Sequence, residues 1–134
     1  MILNDLKNIL KYFAFPIAIL ITNFLFLFMG FYENREWMGM FLHVIGGISV
    51  AFAYFFSLKY FETRNYLKLN SVSRIVFVVS LVGLTAVFWE FFEFSLTYIT
   101  GMSFQGNLSD TMNDLLLGLL GGFAGVLFFN NLRR

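Results

Sequence analysis

IVFVVSLVGLTAVFWEFFEFSLTYI, residues 75–99, decides how the rest of the chain is read. A helix needs about 20 mostly apolar residues to cross the hydrocarbon of a bilayer, and this stretch exceeds that length without a single Lys or Arg. It is therefore expected to span a membrane. It also carries Glu90 and Glu93, one helical turn apart. A carboxylate at the centre of a membrane helix costs about 2.5–3.5 kcal/mol on insertion scales, so the pair needs a proton, a partner or a cation.

Outward from this span, three further stretches have the same character: roughly Tyr12 to Phe31, Trp37 to Leu58 and Thr111 to Asn130. The expected fold is all-α, a single transmembrane domain of four helices over residues 1–134, with spans at about 12–31, 37–58, 75–99 and 111–130. Composition supports it. The 134 residues are 59% hydrophobic, 21% aromatic and only 13% charged, with a mean hydropathy of +0.76. Twenty phenylalanines exceed what the interior of so short a chain can hide from water. Disordered segments, by contrast, are polar and poor in aromatics. With no cysteine, disulfides, thiolate metal sites and cysteine nucleophiles are excluded together. A net charge of +1 predicts no nucleic-acid binding.

Lys7 and Lys11 before an apolar run resemble the start of a signal peptide. The run is longer than a typical signal core and lacks a small-x-small cleavage site near Gly30, so it is expected to be retained as a helix. Pro16 falls near its start, where a missing N–H does least harm. Residues Met1 to Lys11 read as an amphipathic lead-in.

Orientation follows from the basic residues. Lys7, Lys11, Lys59, Arg64, Lys68, Arg74, Arg133 and Arg134 fall on one side of the four spans, and only Arg35 on the other. The positive-inside rule then puts both termini in the cytoplasm. The 59–74 connection, with Tyr60, Phe61 and Tyr66 among its bases, reads as a headgroup-level anchor. Glu33, Arg35 and Glu36 read as a solvated outer connection.

The same orientation collects the unusual residues on the extracytoplasmic side. His43 is about six residues into the second span, Glu90 and Glu93 are near the end of the third, and Asp110 and Asp114 are at the start of the fourth. At about 1.5 Å per residue, His43 and Glu93 lie roughly 9 Å below that boundary and Asp114 roughly 5 Å. Three helices thus bring four carboxylates and the sole histidine to similar depth. Small residues share their faces: Gly46 and Gly47 follow His43, Gly83 and Ala86 lead to Glu90, and Gly118, Gly121, Gly122 and Gly125 follow Asp114. Small-xxx-small steps of this kind are chiefly helix-packing signals. Other uses of the ionisable residues stay open: His43 bonded to a neighbouring helix, and Asp110 as a helix cap. Trp37, Trp89 and Tyr98 read as interfacial or core aromatics.

The pieces FLHVIGG (41–47), WEFFEF (89–94) and DTMNDLLLGLLGGFAG (110–125) resemble motifs of the YjdF-like bacterial inner-membrane proteins and, more loosely, of the VanZ-like proteins. Both share a membrane-embedded His, a Glu-bearing helix and an Asp-rich motif before a glycine-rich helix. The shared motif maps onto His43, Trp89, Glu90, Glu93, Asp110, Thr111, Asp114 and Gly118. Met38 to Leu42 contains no acid where those families often carry one, so a ligand role for that position does not carry over. The resemblance implies a bacterial inner membrane. VanZ-like members are associated with resistance to glycopeptide antibiotics at the cell surface, and the YjdF-like group carries no assigned reaction.

Three functional classes follow. The favoured one is a metal-assisted hydrolase or transferase acting on a lipid or lipid-linked substrate. In it His43 and Glu90 are the catalytic candidates, and His43, Glu90, Glu93, Asp110 and Asp114 the candidate ligands of a divalent zinc, magnesium or calcium ion. The second is a small cation- or proton-coupled transporter, against which the apolar stretches Phe52–Phe56, Val76–Leu81 and Val126–Phe129 count. The third is a scaffold or accessory protein. Expected partners are membrane lipids and a second copy of the chain.

Overall fold

A computed structural model of the chain describes residues 2–29 and 36–132. The connection with Glu33 and Arg35, the span end at Phe31 and the basic pair Arg133 and Arg134 lie outside the described residues, as does the side chain of Glu36. The helices in chain order are α1 (Ile2–Leu10), a 3-10 turn (Lys11–Phe13), α2 (Ala14–Phe28), α3 (Glu36–Thr63), α4 (Ser71–Thr100) and α5 (Leu108–Asn131). No strand occurs among the described residues. Four helices are long and apolar enough to cross a membrane, in agreement with the sequence.

The lead-in and the first span form one nearly continuous rod, so the first candidate span runs from Asn4 to Phe28. The tightened turn at Lys11–Phe13 has a local cause. Pro16 has no N–H to offer the Tyr12 carbonyl and its ring presses against that group, so the backbone closes i to i+3 there instead. At 1.5 Å per residue α3 and α4 are about 42 and 45 Å long, more than the roughly 30 Å of hydrocarbon, so their ends reach into the headgroups.

Polar caps stop the helices at one end. Asn70 caps α4 by accepting from the Ser73 N–H at 2.8 Å, and α4 ends on Gly101 in the left-handed conformation, φ 70°. At α5, Asn107 accepts from Ser109 and Asp110 N–H groups while the Asp110 carboxylate accepts from the Asn107 N–H at 3.2 Å, a reciprocal capping box.

Contacts along the helices give the topology. Tyr12 and Phe15 meet Phe52 while Asn23 shares a cavity with His43, so α2 and α3 run antiparallel. Tyr54 meets Thr85, with 3.0 Å between their hydroxyls, which makes α3 and α4 antiparallel too. His43 faces Asp114 and Phe55 faces Phe129, so α3 and α5 are parallel. Parallel helices of an up-down bundle usually sit diagonally, yet among the described residues α3 and α5 share the most extensive helix–helix contact. Glycine explains it. A Cβ on Gly47 would run into the Gly118 carbonyl oxygen, and one on Gly121 into the Val44 carbonyl oxygen. Backbone touches backbone, as the small-xxx-small steps predicted. α4 closes on this pair through Val82 against Gly122, and α2 packs along the outside of α3.

The dry core occupies the half away from His43: Ala51, Phe55, Val78, Val82 and Val126 are fully or almost fully buried. Below it lies a polar network. Arg74 is buried, donating to Glu62 at 2.7 Å, to Asn130 at 3.2 Å and to the Leu69 carbonyl at 3.1 Å. Lys59 pairs with Glu62 at 3.3 Å and Arg64 with Asp5 at 3.3 Å. The Tyr60 hydroxyl bonded to Arg64, together with Asp5, holds the Arg64 guanidinium above its ordinary pKa. Arg64 and Arg74 are thus tied to α1 and to the end of α5, while Lys68 stays exposed. Asp5 and Asn130, distant in sequence, supply the partners.

Candidate functional site

His43, Glu90 and Asp114 converge near the bundle end opposite the Arg74 network. Each stands about two to three turns from a helix end: His43 about 10 Å past the start of α3, Glu90 about 15 Å before the end of α4, Asp114 about 9 Å past the start of α5. Convergence depends on the glycines. Gly47 lies one turn beyond His43 and Gly118 one turn beyond Asp114, and their contact sets how near the two polar side chains can come.

Nε2 of His43 is 3.4 Å from Oδ2 of Asp114. One ligand atom from each of His43, Glu90 and Asp114 lies within 4.8 Å of the other two. Glu90 is only 6% exposed, and its Oε2 is buried with no hydrogen-bond partner. Gln105 and Thr111 approach its carboxyl. Among the described residues no Lys or Arg forms an ion pair with Glu90, Glu93 or Asp114. Burying a carboxylate without a partner costs several kcal/mol, so the group calls for a proton or a cation.

Two other candidates from the sequence stand apart. Glu93, one turn on, is half-buried and lines a cavity together with His43 and Asp114, with Trp89 approaching its carboxyl, but it is outside the close trio. Asp110 is exposed and stands as the third residue of the capping box, its carboxylate accepting from the N–H of Asn107, which is the N-cap in place of Asp110 because the helix begins at Leu108. One turn of α5 separates Asp110 from Asp114.

Two cavities meet at this point. The polar one, about 200 Å³, is lined by Glu93, Asp114, His43 and Ser103, with Phe104 and Gly106 of the α4–α5 connection over it. That connection is folded back by the Thr97 hydroxyl, which accepts from the Phe104 and Gln105 N–H groups at 3.1 and 3.0 Å. The other, about 260 Å³, is apolar and lies between α2 and the rest of the bundle. Asn23, His43 and Trp89 line both.

Sequence reading missed three of these residues. Asn23 carried a signal, a lone amide in an otherwise apolar span. Gln105 and Ser103 carried none, since only the fold of the connection brings them over the site. Trp89, read as an interfacial or core aromatic, lines both cavities.

A family model described as "Predicted membrane protein (DUF2238)" matches residues 6–134. The chain belongs to this family. No curated protein and no solved structure matches it. The family and the four candidate spans make it a multi-pass membrane protein.

Proposed function

We propose that the chain is a metal-assisted hydrolase or transferase of the bacterial inner membrane that acts on a lipid or lipid-linked substrate. One observation carries the reading: three donors of metal-ligating type lie within 4.8 Å of one another, and one of them has a buried, unpaired oxygen. Two donors about 2.1 Å from a tetrahedral zinc stand about 3.4 Å apart. That is the His43 to Asp114 separation. One imidazole and two carboxylates suit zinc better than calcium, which takes six to eight oxygens.

Three protein ligands leave a fourth position open, the arrangement of catalytic rather than structural zinc. A metal there would acidify a bound water and polarise an ester or phosphoester. Water adds to the ester, the bond to the leaving alcohol breaks, and that alcohol departs with a proton. Glu93, in the wall of the polar cavity, is positioned to take up and return that proton. The resemblance of the three motifs to YjdF-like and VanZ-like proteins supports the same residues, and the distribution of basic residues favours a site in the extracytoplasmic half. A transporter built on these carboxylates is less well supported, because the polar groups give way to the dry core of Phe55, Val78 and Val126.

The test is elemental analysis of purified protein equilibrated separately with zinc, magnesium and calcium. One tightly held ion per chain is expected, with zinc the best retained. It should be lost in Glu90→Gln and Asp114→Asn and kept in Asp110→Asn. The same metal content in all four proteins would overturn the reading.

A further inference from the structure

The apolar cavity has no role in the chemistry above. Its walls are Pro16, Ile17 and Leu20 of α2 facing Gly46 and Val50 of α3, with Ala86 of α4 at its side. Ring contacts between α2 and α4 gather at Phe24, against Trp89 and Phe92, so the two helices are bridged at the level of the site. Two of its lining residues on α2, Ile17 and Leu20, stay 51% and 37% exposed, so the cavity reaches the outer surface of the bundle. His43, Asn23 and Trp89 join it to the polar chamber. A polar chamber that shares these three lining residues with an apolar one on the outer side of the bundle matches a molecule with a charged head and a hydrocarbon chain.

We infer that the apolar cavity between α2, α3 and α4 seats a single hydrocarbon chain of an amphiphile whose anionic head lies at His43, Glu90 and Asp114. This rests on the metal-assisted reading, because the carboxylates of Glu90 and Asp114 would repel an anionic head unless a cation intervened. The volume sets the length. A cavity of about 150 Å³ accommodates benzene, so about 260 Å³ holds roughly ten carbons, and a longer chain continues through the opening into lipid. The chain leaves one hydrocarbon solvent for another, so selectivity comes from packing against the cavity walls rather than from the hydrophobic effect.

Gly46 offers the test. It lines the cavity, and a Cβ there meets nothing within 4 Å, so Gly46→Leu places a side chain in the space without disturbing the helix contact made by Gly47. Trp37→Phe leaves Trp89, which lines both cavities, as the single tryptophan of the chain, excited selectively at 295 nm apart from the six tyrosines. In nanodiscs with zinc, this background is titrated with decyl phosphate and with ethyl phosphate. The expected result is a saturable Trp89 response to both, with Gly46→Leu raising the half-saturation for decyl phosphate at least tenfold and leaving ethyl phosphate within twofold. Ile17→Phe, which fills the cavity from the opposite wall, should act in the same direction. Equal half-saturation for decyl phosphate in the parent and both filled variants would overturn the inference. Zinc content measured on the same samples separates the two readings. If the parent holds no zinc the metal reading fails, and the chain seat is then judged with decanol alone: a saturable response lost in Gly46→Leu upholds it, and an unchanged response overturns it.

Discussion

Gly46 and Gly47 are neighbours in sequence and opposites in the structure, which makes alanine at each a sharp test of the glycine contact. On Gly47 a Cβ would collide with the Gly118 carbonyl oxygen and stand 2.9 Å from both the Gly118 carbonyl carbon and the Gly122 nitrogen. Contact at the usual 3.5 Å or more requires α3 and α5 to part by on the order of 1 Å. The opposing atoms are helix backbone and cannot rotate aside, so the cost falls at the upper end of overpacking, about 3 kcal/mol. In water alanine would regain roughly 0.5–1 kcal/mol over glycine. In a bilayer the separated helix stays helical, so little of that gain counts toward stability. Gly46→Ala meets nothing within 4 Å and should stay within about 0.5 kcal/mol of the parent. Reversible unfolding by SDS, followed by circular dichroism and tryptophan fluorescence, measures both. Gly47→Ala should shift the folding equilibrium by about a hundredfold against Gly46→Ala. The parting would also carry Asp114 away from His43, so zinc affinity should fall in Gly47→Ala and not in Gly46→Ala. Equal stability of the two variants would refute the close approach of α3 to α5, and with it the account of how the site is assembled.

At the other end of the bundle, Arg74→Met leaves Glu62 without its 2.7 Å partner and should destabilise the fold by about 2–4 kcal/mol in the same unfolding assay. The double variant Glu62→Met, Arg74→Met should recover at least half of that loss, and a double variant no better than Arg74→Met alone would show that the pair is not the reason. Asp110→Ala removes half of the capping box, with an expected cost of about 0.5–1 kcal/mol and no change in zinc content. Glu93→Gln should also keep its zinc, because Glu93 lies outside the donor trio, and zinc loss in this variant would move Glu93 into the ligand set.

Periodicity and length were enough for the helices, because a span declares itself by hydropathy and needs no partner to do so. The candidate residues were legible for the same reason, since acids and a histidine stand out against 59% hydrophobic residues. Their division of labour was not. Asp110 and Asp114 share a face and a residue type, yet the cap at Asn107 engages the first and the closeness of α3 leaves the second facing His43. Arg74 looked like any other base beside a span, and its burial becomes tolerable through the Glu62 carboxylate across the connection and Asn130 from the far end of α5.

By itself, then, the sequence determined that this is a four-span membrane protein and which few side chains are out of place in lipid. Both are properties of single segments, since each helix satisfies its own backbone and each misplaced charge is visible alone. The tertiary structure decided which acids meet, where the cavities lie and that Gly46 borders open space while Gly47 touches backbone. Those outcomes depend on how closely two helices approach and on the direction in which each side chain leaves its axis, and neither is a property of one helix.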